Sequence, residues 1–452
     1  MLFAVRFTQQ LDPLGNRYLS TFLAALPVLV LFYTLVPRRW LAPKAGLAGA
    51  VTAIVLAWLA FDMPLEMAGM SFVYGAAFGM LPVGWTIFNA MLLYNITVVT
   101  GQFEVVRRSV AGLSGDARIQ AILIGFAFGA FLEGAAGGGT PVAICGAIMV
   151  GLGFPPFLSA ILCLIANTSP VAYGGLGTPL IVLSSVTGLP TPTLSVMAGH
   201  QLPLLSFVVP LWMVKCMCSW KQTFEVLPAL LVSGGSFAIF QYFFATMHTW
   251  IPGVELWPMT DIGGGIFSLV VTALFLRVWK PKKDWHFDQE LEPTAAPAEP
   301  ERQLDASDPH AAEAAALMGS EPPVDTTKPK KPLTVGSVTL AWAPYAFMSI
   351  LLMLTGIVRQ MESKGPVHVG PIQTNYLIPV PTLHQEVLRD ARLGDEKPES
   401  ALYNFPWLTA PGTAVFFAVI ISMVMLRMNS NQIRTVIGRT FMQMRIPIPT
   451  IA

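Results

Sequence analysis

Repeated apolar stretches, each about as long as a membrane-crossing helix, constrain this chain more than any other feature. An α-helix rises ~1.5 Å per residue, so about 20 apolar residues cross the hydrocarbon of a bilayer. The clearest stretches of this kind are residues 18–36, 45–61, 71–99, 202–218, 224–247, 262–278, 336–358 and 409–426. Charged residues make up 12% of the chain, against roughly 25% in a soluble domain. The sequence therefore predicts an all-α, polytopic integral membrane protein.

Charge and cysteine content exclude other classes of protein. The 27 basic and 26 acidic residues nearly cancel. The basic residues are scattered and do not form the patch that neutralises phosphates, so no nucleic-acid partner is expected. The cysteines match neither a zinc site nor a disulfide framework and are interpreted as apolar fillers. They are Cys145, Cys163, Cys216 and Cys218. No metal and no cofactor are expected.

The distribution of Lys and Arg predicts the orientation in the membrane, because insertion leaves basic residues on the cytoplasmic side. Most of the basic residues fall in alternate connections, and the short connections 62–70 and 248–261 contain none. The N-terminus is therefore predicted to lie outside, and the lipid bilayer is the chain's surrounding partner. The first apolar run follows a polar head, so we expect it to be retained as a span.

Five segments follow from these patterns. Residues 1–118 are predicted to be N-terminal transmembrane helices and 119–199 a substrate region of broken helices. Residues 200–278 are predicted to be transmembrane helices, and 279–335, rich in Glu, Asp, Pro, Ala and Lys, a disordered cytoplasmic loop. Residues 336–452 are predicted to be C-terminal transmembrane helices. An apolar run has only begun at the end of the sequence, so we expect this last segment to be truncated.

Two matched interruptions mark the region between residues 119 and 214. Residues 133–141 and 167–179 are rich in Gly and Pro, and both contain the pattern Gly-x-Gly-Thr-Pro. Unwound backbone inside a bilayer survives only where it is buried in protein or lines a watery cavity. Interrupted helices build binding sites in secondary transporters, with helix N-termini directed at anionic substrates. We expect discontinuous or re-entrant helices that form a central site; the alternative is that the glycines only permit close helix packing.

The polar groups of both interruptions are the candidate substrate-binding residues. Tyr173 either lines the site or packs in the core. His200 is the only histidine between residues 119 and 214, and it either serves the site or lies at the membrane interface. The full set of candidates is Gly137, Gly138, Gly139, Thr140, Asn167, Thr168, Ser169, Tyr173, Gly177, Thr178 and His200.

Glu133 is the only formally charged side chain between residues 119 and 214. An ionised carboxylate at membrane depth is costly, so such a group tends to take up a proton. A neighbouring substrate anion favours the protonated form further, through like-charge repulsion. Proton and anion would then promote each other's binding, and Glu133 is the candidate for proton coupling. The alternative is a structural carboxyl that accepts hydrogen bonds from nearby backbone N–H groups.

At these residues the sequence resembles the bacterial L-lactate permease family. The resemblance covers most of the chain outside the 279–335 loop, and the two central runs are highly specific. The matching runs, in family order, are DPLGN (12–16), TGQF (100–103), GAFLEGAAG (129–137), LIANTSPVA (164–172) and GGSFAIFQY (234–242).

The resemblance implies a proton symporter of the bacterial inner membrane that takes up lactate and often glycolate. Its partners would be a small monocarboxylate anion and a proton. Gly138 and Thr178 depart from the bulkier and more apolar residues usual in the family, which implies a wider and more polar cavity. His200 stands where Arg is common.

Other functions stay open on the residues alone. A sodium-coupled carboxylate carrier would hold its ion on unwound carbonyls with Asn167 and Thr168. A receptor would bind without transport. An integral-membrane enzyme is not expected, because catalysis needs a nucleophile and base, or metal ligands, gathered at depth, and the chain has only 6 histidines.

Overall fold

The computed structural model describes residues 6–136, 140–187, 189–251, 256–287, 332–362, 365–393 and 397–451, and these are mostly helical. Within them, 8 helical stretches are long and apolar enough to cross a membrane. The expectation of a polytopic helical membrane protein is thereby confirmed. The helices are α1 (Arg17–Leu35), α2 (Ala42–Leu59), α3 (Leu65–Phe78), α4 (Trp85–Val99), α5 (Gln102–Ala111), α6 (Ala117–Gln120), α7 (Gly129–Ala136), α8 (Thr140–Gly151), α9 (Pro156–Ala166), α10 (Gly174–Thr187), α11 (Thr191–Met217), α12 (Trp220–Glu225), α13 (Leu227–Trp250), α14 (Thr260–Val278), α15 (Val335–Glu362), α16 (Pro411–Met425), α17 (Ser430–Met444) and α18 (Pro447–Ile451).

A kink and a stretch of wide, π-helical turns modify the expected spans. The first, Gly79–Gly84, joins α3 to α4 and interrupts the apolar run at 71–99, because Leu81 has extended backbone with φ −135° and ψ 115°. Pro82 follows, and it lacks the N–H that a continuous helix uses. The second, Ala121–Phe128, joins α6 to α7. Helix α6, residues 121–128 and most of α7 form one continuous stretch, residues 117–134, which is one of the 8 stretches able to cross a membrane.

Helices α11, α13 and α14 pack side by side and form the support for the interrupted region. Small residues let membrane helices approach closely. A Cβ at Gly234 in α13 would lie 2.6 Å from the carbonyl oxygen of Phe207 in α11. A Cβ at Gly264 in α14 would lie 3.0 Å from the Phe237 ring in α13. Helices α7 and α10 pack together, and α7 also packs against α14.

A second group of helices forms around α4, which packs against α16 and α17. Asn95 in α4 is buried and joins it to α17, because its side-chain amide donates hydrogen bonds to Thr440 Oγ1 at 2.9 Å and to Gln443 Oε1 at 2.7 Å. Such a bond between side chains of two helices fixes their register where packing alone is apolar.

Short strands order the polar segment that follows α15, and one strand from the start of the chain pairs with them. They are β1 (Phe7–Thr8), β2 (His368–Val369), β3 (Ile372–Gln373), β4 (Tyr376–Pro379), β5 (Val387–Leu388) and β6 (Leu402–Phe405). Strand β1 pairs in parallel with β5, and β4 pairs antiparallel with β6. The start of the chain and the segment around residues 365–408 therefore lie on the same side of the molecule, as the charge count had predicted for these two connections.

A buried ion pair joins three connections at another surface. The Arg118 guanidinium is fully buried and lies 2.6 Å from Asp116 and 3.1 Å from Glu225. It also donates to the main-chain oxygen of Lys283 at 3.2 Å, and the N–H of Trp285 donates to Asp116 at 3.0 Å. The connections before α6, around α12 and after α14 thus lie together, and the charge count had placed all three on one side. Residues 288–331, most of the loop expected to be disordered, lie outside the described residues.

Candidate functional site

Glu133 lies near the end of α7, and its side chain is buried in contact with the second interruption. The residue is 5% exposed. A Cβ added at Gly174 would lie 2.6 Å from Glu133 Oε1 and 3.2 Å from its Cγ, so a larger residue here would displace this carboxyl group. Because Gly174 is the first residue of α10, the acid lies at a helix N-terminus, where unsatisfied N–H groups concentrate. The structure therefore brings the two interruptions together at Glu133.

The second interruption is a turn between α9 and α10 that is held by α11 and α13. Ser169 is 1% exposed, and its carbonyl accepts a hydrogen bond of 3.0 Å from the Gln241 amide in α13. Gln241 in turn accepts one of 2.7 Å from the Ser206 hydroxyl in α11. Tyr173 is fully buried, and its hydroxyl donates to the carbonyl of Ser195 at 2.9 Å. These contacts fix the position of the turn relative to the support helices.

Several buried polar atoms in this region have no hydrogen-bond partner among the described residues. Besides the carboxyl oxygens of Asp261, they include Ser169 Oγ, Asn167 Oδ1 and Trp257 Nε1. Buried polar groups are normally paired, and an unpaired group costs about 1–3 kcal/mol. Groups of this kind are free to bond to a ligand or to water. The Tyr173 hydroxyl, in contrast, already donates a hydrogen bond to the Ser195 carbonyl.

Gly177 fixes the shape of the start of α10. Its φ of +74° lies in the left-handed region, which side chains other than glycine's rarely adopt. Its Cα also faces the indole of Trp257, whose Cε3 would lie 3.0 Å from an added Cβ. The Thr178 hydroxyl donates to the Gly175 carbonyl at 2.7 Å, so it closes the same turn internally.

A second acid, which sequence reasoning assigned to a short loop, lies beside this region. Asp261 is in the first turn of α14 and is fully buried. A Cβ at Gly134 would lie 2.8 Å from Asp261 Cβ and 2.5 Å from the Ile262 nitrogen, so α14 approaches the residue after Glu133 very closely. Asp261 is within electrostatic range of Glu133 and of Tyr173. A signal was present in the sequence, because Asp261 directly precedes the apolar run with three glycines, residues 262–266.

Other candidates from the sequence lie apart or cannot be placed. The Thr168 side chain is exposed and donates to the Ile165 carbonyl at 2.7 Å. His200 is exposed on α11, where Nδ1 lies 2.7 Å from the Val196 carbonyl and the ring contacts Tyr242 edge-on. Their assignment to the substrate site stays a prediction. Gly137, Gly138 and Gly139 lie outside the described residues, as does the side chain of Thr140.

The arrangement suits an anion and a proton better than bond-making chemistry. Nowhere in the described parts of the chain do three or more His, Cys, Asp or Glu side chains gather in a group that could hold a metal ion. What converges instead is two buried carboxyl groups, a helix N-terminus and polar atoms with free bonding capacity. A membrane protein of many spans, with short helices arranged around a buried polar cluster, has the architecture of a secondary transporter.

Comparison with known proteins defines the family. The family model described as L-lactate permease matches residues 20–452, and the chain belongs to this family. It is 38% identical to the glycolate permease GlcA of Escherichia coli (strain K12) over 99% of this chain and 75% of that protein. It is 36% identical to an L-lactate permease of Salmonella typhimurium, over 98% of this chain and 74% of the relative, and 36% identical to one of Bacillus subtilis, over 99% and 76%. No solved structure matches.

The family membership confirms two expectations from the sequence. The resemblance to L-lactate permeases is correct, and the protein is a transporter and not an enzyme.

Proposed function

We propose that the protein carries lactate, or a related small 2-hydroxy monocarboxylate such as glycolate, across a bacterial inner membrane together with protons. The proposal rests on one observation above all, the burial of Glu133 against the first residue of α10. Relatives named for lactate and for glycolate supply the substrate class. Both substrates are small carboxylates with a hydroxyl on the next carbon.

Coupling follows from the position of the acid. An ionised carboxylate at membrane depth is costly, so Glu133 gains a proton before or as an anion arrives. The like charges of an ionised Glu133 and a substrate carboxylate repel each other, and protonation removes that repulsion. Each ligand therefore raises the affinity for the other, and this reciprocity is the thermodynamic basis of symport.

The substrate site in this proposal is the space between the two interruptions. The substrate carboxylate would meet backbone N–H groups at the starts of α8 and α10, and the substrate hydroxyl would meet polar side chains of the turn before α10. The groups assigned to it are Gly137, Gly138, Gly139, Thr140, Asn167, Ser169, Tyr173, Gly177 and Thr178.

In the membrane, α7 with α8 would form one re-entrant pair, and α9 with α10 one discontinuous span, because α8, α9 and α10, with 12, 11 and 14 residues, are each shorter than the ~20 residues of a full span. The chain between Arg118 and α11 then crosses once, which leaves α12 on the side of Arg118. The N-terminus would lie outside and the 279–335 loop inside. The pairing of β1 with β5 and the cluster around Arg118 support this arrangement, since each joins connections that the basic residues place on one side.

The test is transport by the Glu133→Gln variant in sealed proteoliposomes. With one proton carried per lactate, a gradient of one pH unit supports about a tenfold accumulation of labelled lactate. Glutamine keeps the size of the side chain but cannot bind and release the proton. We expect the variant to exchange internal for external lactate in counterflow, but to lose accumulation driven by the pH gradient.

Glu66→Gln is the matched control, because the same chemical change is made on an exposed side chain in α3. It should accumulate lactate as the wild type does. Full pH-driven accumulation by Glu133→Gln would remove Glu133 from the coupling role. A wild type that responds only to a sodium gradient at equal pH would support the sodium-coupled alternative and overturn proton coupling.

A further inference from the structure

Asp261 is buried under conditions in which an ionised carboxylate would be poorly stabilised. It is 0% exposed, and neither carboxyl oxygen has a hydrogen-bond partner among the residues that the structure describes. The ion pairs found within those residues do not include it. An ionised carboxylate is strongly disfavoured in such a place, and the group avoids that cost by holding a proton.

Two separate contacts place the start of α14, which carries Asp261, against the segments that contain and face Glu133. The first is the close approach of α14 to Gly134, which leaves 2.8 Å between Asp261 Cβ and an added Cβ. The second is made one turn earlier, where Trp257 packs on Gly177 in the second interruption, and the Thr260 hydroxyl donates to the Trp257 carbonyl at 2.7 Å. The start of α14 thus contacts both interruptions.

Among the described residues, Glu133 is the carboxyl group in electrostatic range of Asp261. Tyr173 is in electrostatic range, but its hydroxyl is bonded to the Ser195 carbonyl. Helix α10 and residues 121–128, which also pack on α14, contain no ionisable side chain. Tyr242 and His248 on α13 have no described interaction with Asp261, and Glu255 lies outside the described residues.

We propose that Asp261 and Glu133 act as one proton-binding pair, so that Asp261 is a second residue of the coupling site. This inference rests on the proposed proton symport. Two neighbouring carboxylates at low dielectric do not ionise together, so the pair retains one proton when the site is empty of substrate. Uptake of a second proton from water neutralises the pair and permits the substrate anion to bind. Only O–H bonds form and break, and the second proton returns to water on the other side after the substrate leaves.

The second acid gives the charge of the empty carrier a second place to reside. A single Glu133 that loses its proton leaves the charge on one buried carboxyl group, whereas a pair that keeps one proton holds one negative charge that either carboxyl group can bear.

The test compares Asp261→Asn with Thr272→Val in the proteoliposome assay. Asparagine resembles the protonated acid in size and charge, so Asp261→Asn should fold, exchange lactate in counterflow, and lose the roughly tenfold accumulation supported by one pH unit. Thr272→Val removes a buried hydroxyl on the same face of α14, three turns from Asp261, and should accumulate lactate fully.

The outcomes separate this inference from the proposed function. If wild-type protein and Asp261→Asn both accumulate lactate in response to pH, proton symport stands and the role of Asp261 is refuted. If the wild type shows no pH-driven accumulation, the proposed function itself fails.

Should Asp261→Asn not fold, infrared spectroscopy of the wild type and Glu133→Gln tests the pair. The pair predicts that lactate binding changes the carboxylic-acid C=O band of the wild type, and that a band from Asp261 persists in Glu133→Gln. A Glu133→Gln spectrum that lacks the Asp261 band would refute the proposed pair.

Discussion

The close contact between α14 and α7 at Gly265 gives the sharpest stability prediction. A Cβ at Gly265 would lie 2.7 Å from Phe131 Cα and 2.8 Å from the Ala127 carbonyl oxygen, whereas ordinary contact begins at 3.4 Å. The obstructing atoms are backbone, which cannot rotate away, so in Gly265→Ala helix α14 must move by roughly 0.6 Å or more from α7. Forcing a methyl group into a packed interior typically costs about 1–3 kcal/mol.

The same substitution also removes a glycine from a helix, which favours the helix by about 1 kcal/mol. Gly146→Ala isolates the two effects, because Gly146 lies inside α8 and a Cβ there meets nothing within 4 Å. We expect the free energy of unfolding of Gly265→Ala to lie about 1–3 kcal/mol below that of Gly146→Ala.

Reversible unfolding in mixtures of dodecyl maltoside and SDS, followed by circular dichroism, measures this difference. Transport should respond in the same order, since α14 carries Asp261 towards the residue after Glu133. Equal unfolding free energies for the two variants would show that α14 and α7 do not approach at Gly265. The proposed carboxyl pair would then lose its structural basis.

Two further predictions concern the surfaces on either side of the helices. Arg118→Ala removes a fully buried guanidinium and leaves its carboxylate partner uncompensated, so the free energy of unfolding in the same detergent assay should fall by about 3–5 kcal/mol. Lys221→Ala, at an exposed residue, should change it by no more than about 0.5 kcal/mol. Glu362→Ala removes the acceptor of two hydrogen bonds of 2.6 Å, from the hydroxyls of Thr374 and Thr409. Hydrogen exchange should become faster in β4 and β6 and stay unchanged in α13. Exchange rates in β4 and β6 equal to those of the wild type would contradict a role for Glu362 in ordering this segment.

The sequence alone was sufficient to predict the membrane class, most of the spans and the positions of the two interruptions. Hydropathy and Gly/Pro content are local properties, and a bilayer imposes one length on every helix that crosses it. Helices α8 and α9 begin close to where the glycines and prolines indicated, whereas α10 begins at Gly174, within the expected interruption at 167–179. The pairing of connections at the two surfaces also agrees with the charge count.

The composition of the buried cluster required the tertiary structure. Asp261 follows a polar connection, so hydropathy placed it at the end of a loop, and the structure places it inside, against α7. His200 and Tyr173 are both single polar residues in apolar surroundings, yet His200 faces outward and Tyr173 is fully buried.

The physical reason is that lipid tails are as apolar as a protein core. A soluble helix shows which face it buries by alternating polar and apolar residues, but a membrane helix is apolar on all sides and carries no such pattern. Local sequence therefore determined which segments enter the bilayer and where they are interrupted. Which faces meet, and hence which acid lies beside which, was decided by close approaches between distant segments, such as those at Gly134, Gly174 and Gly265.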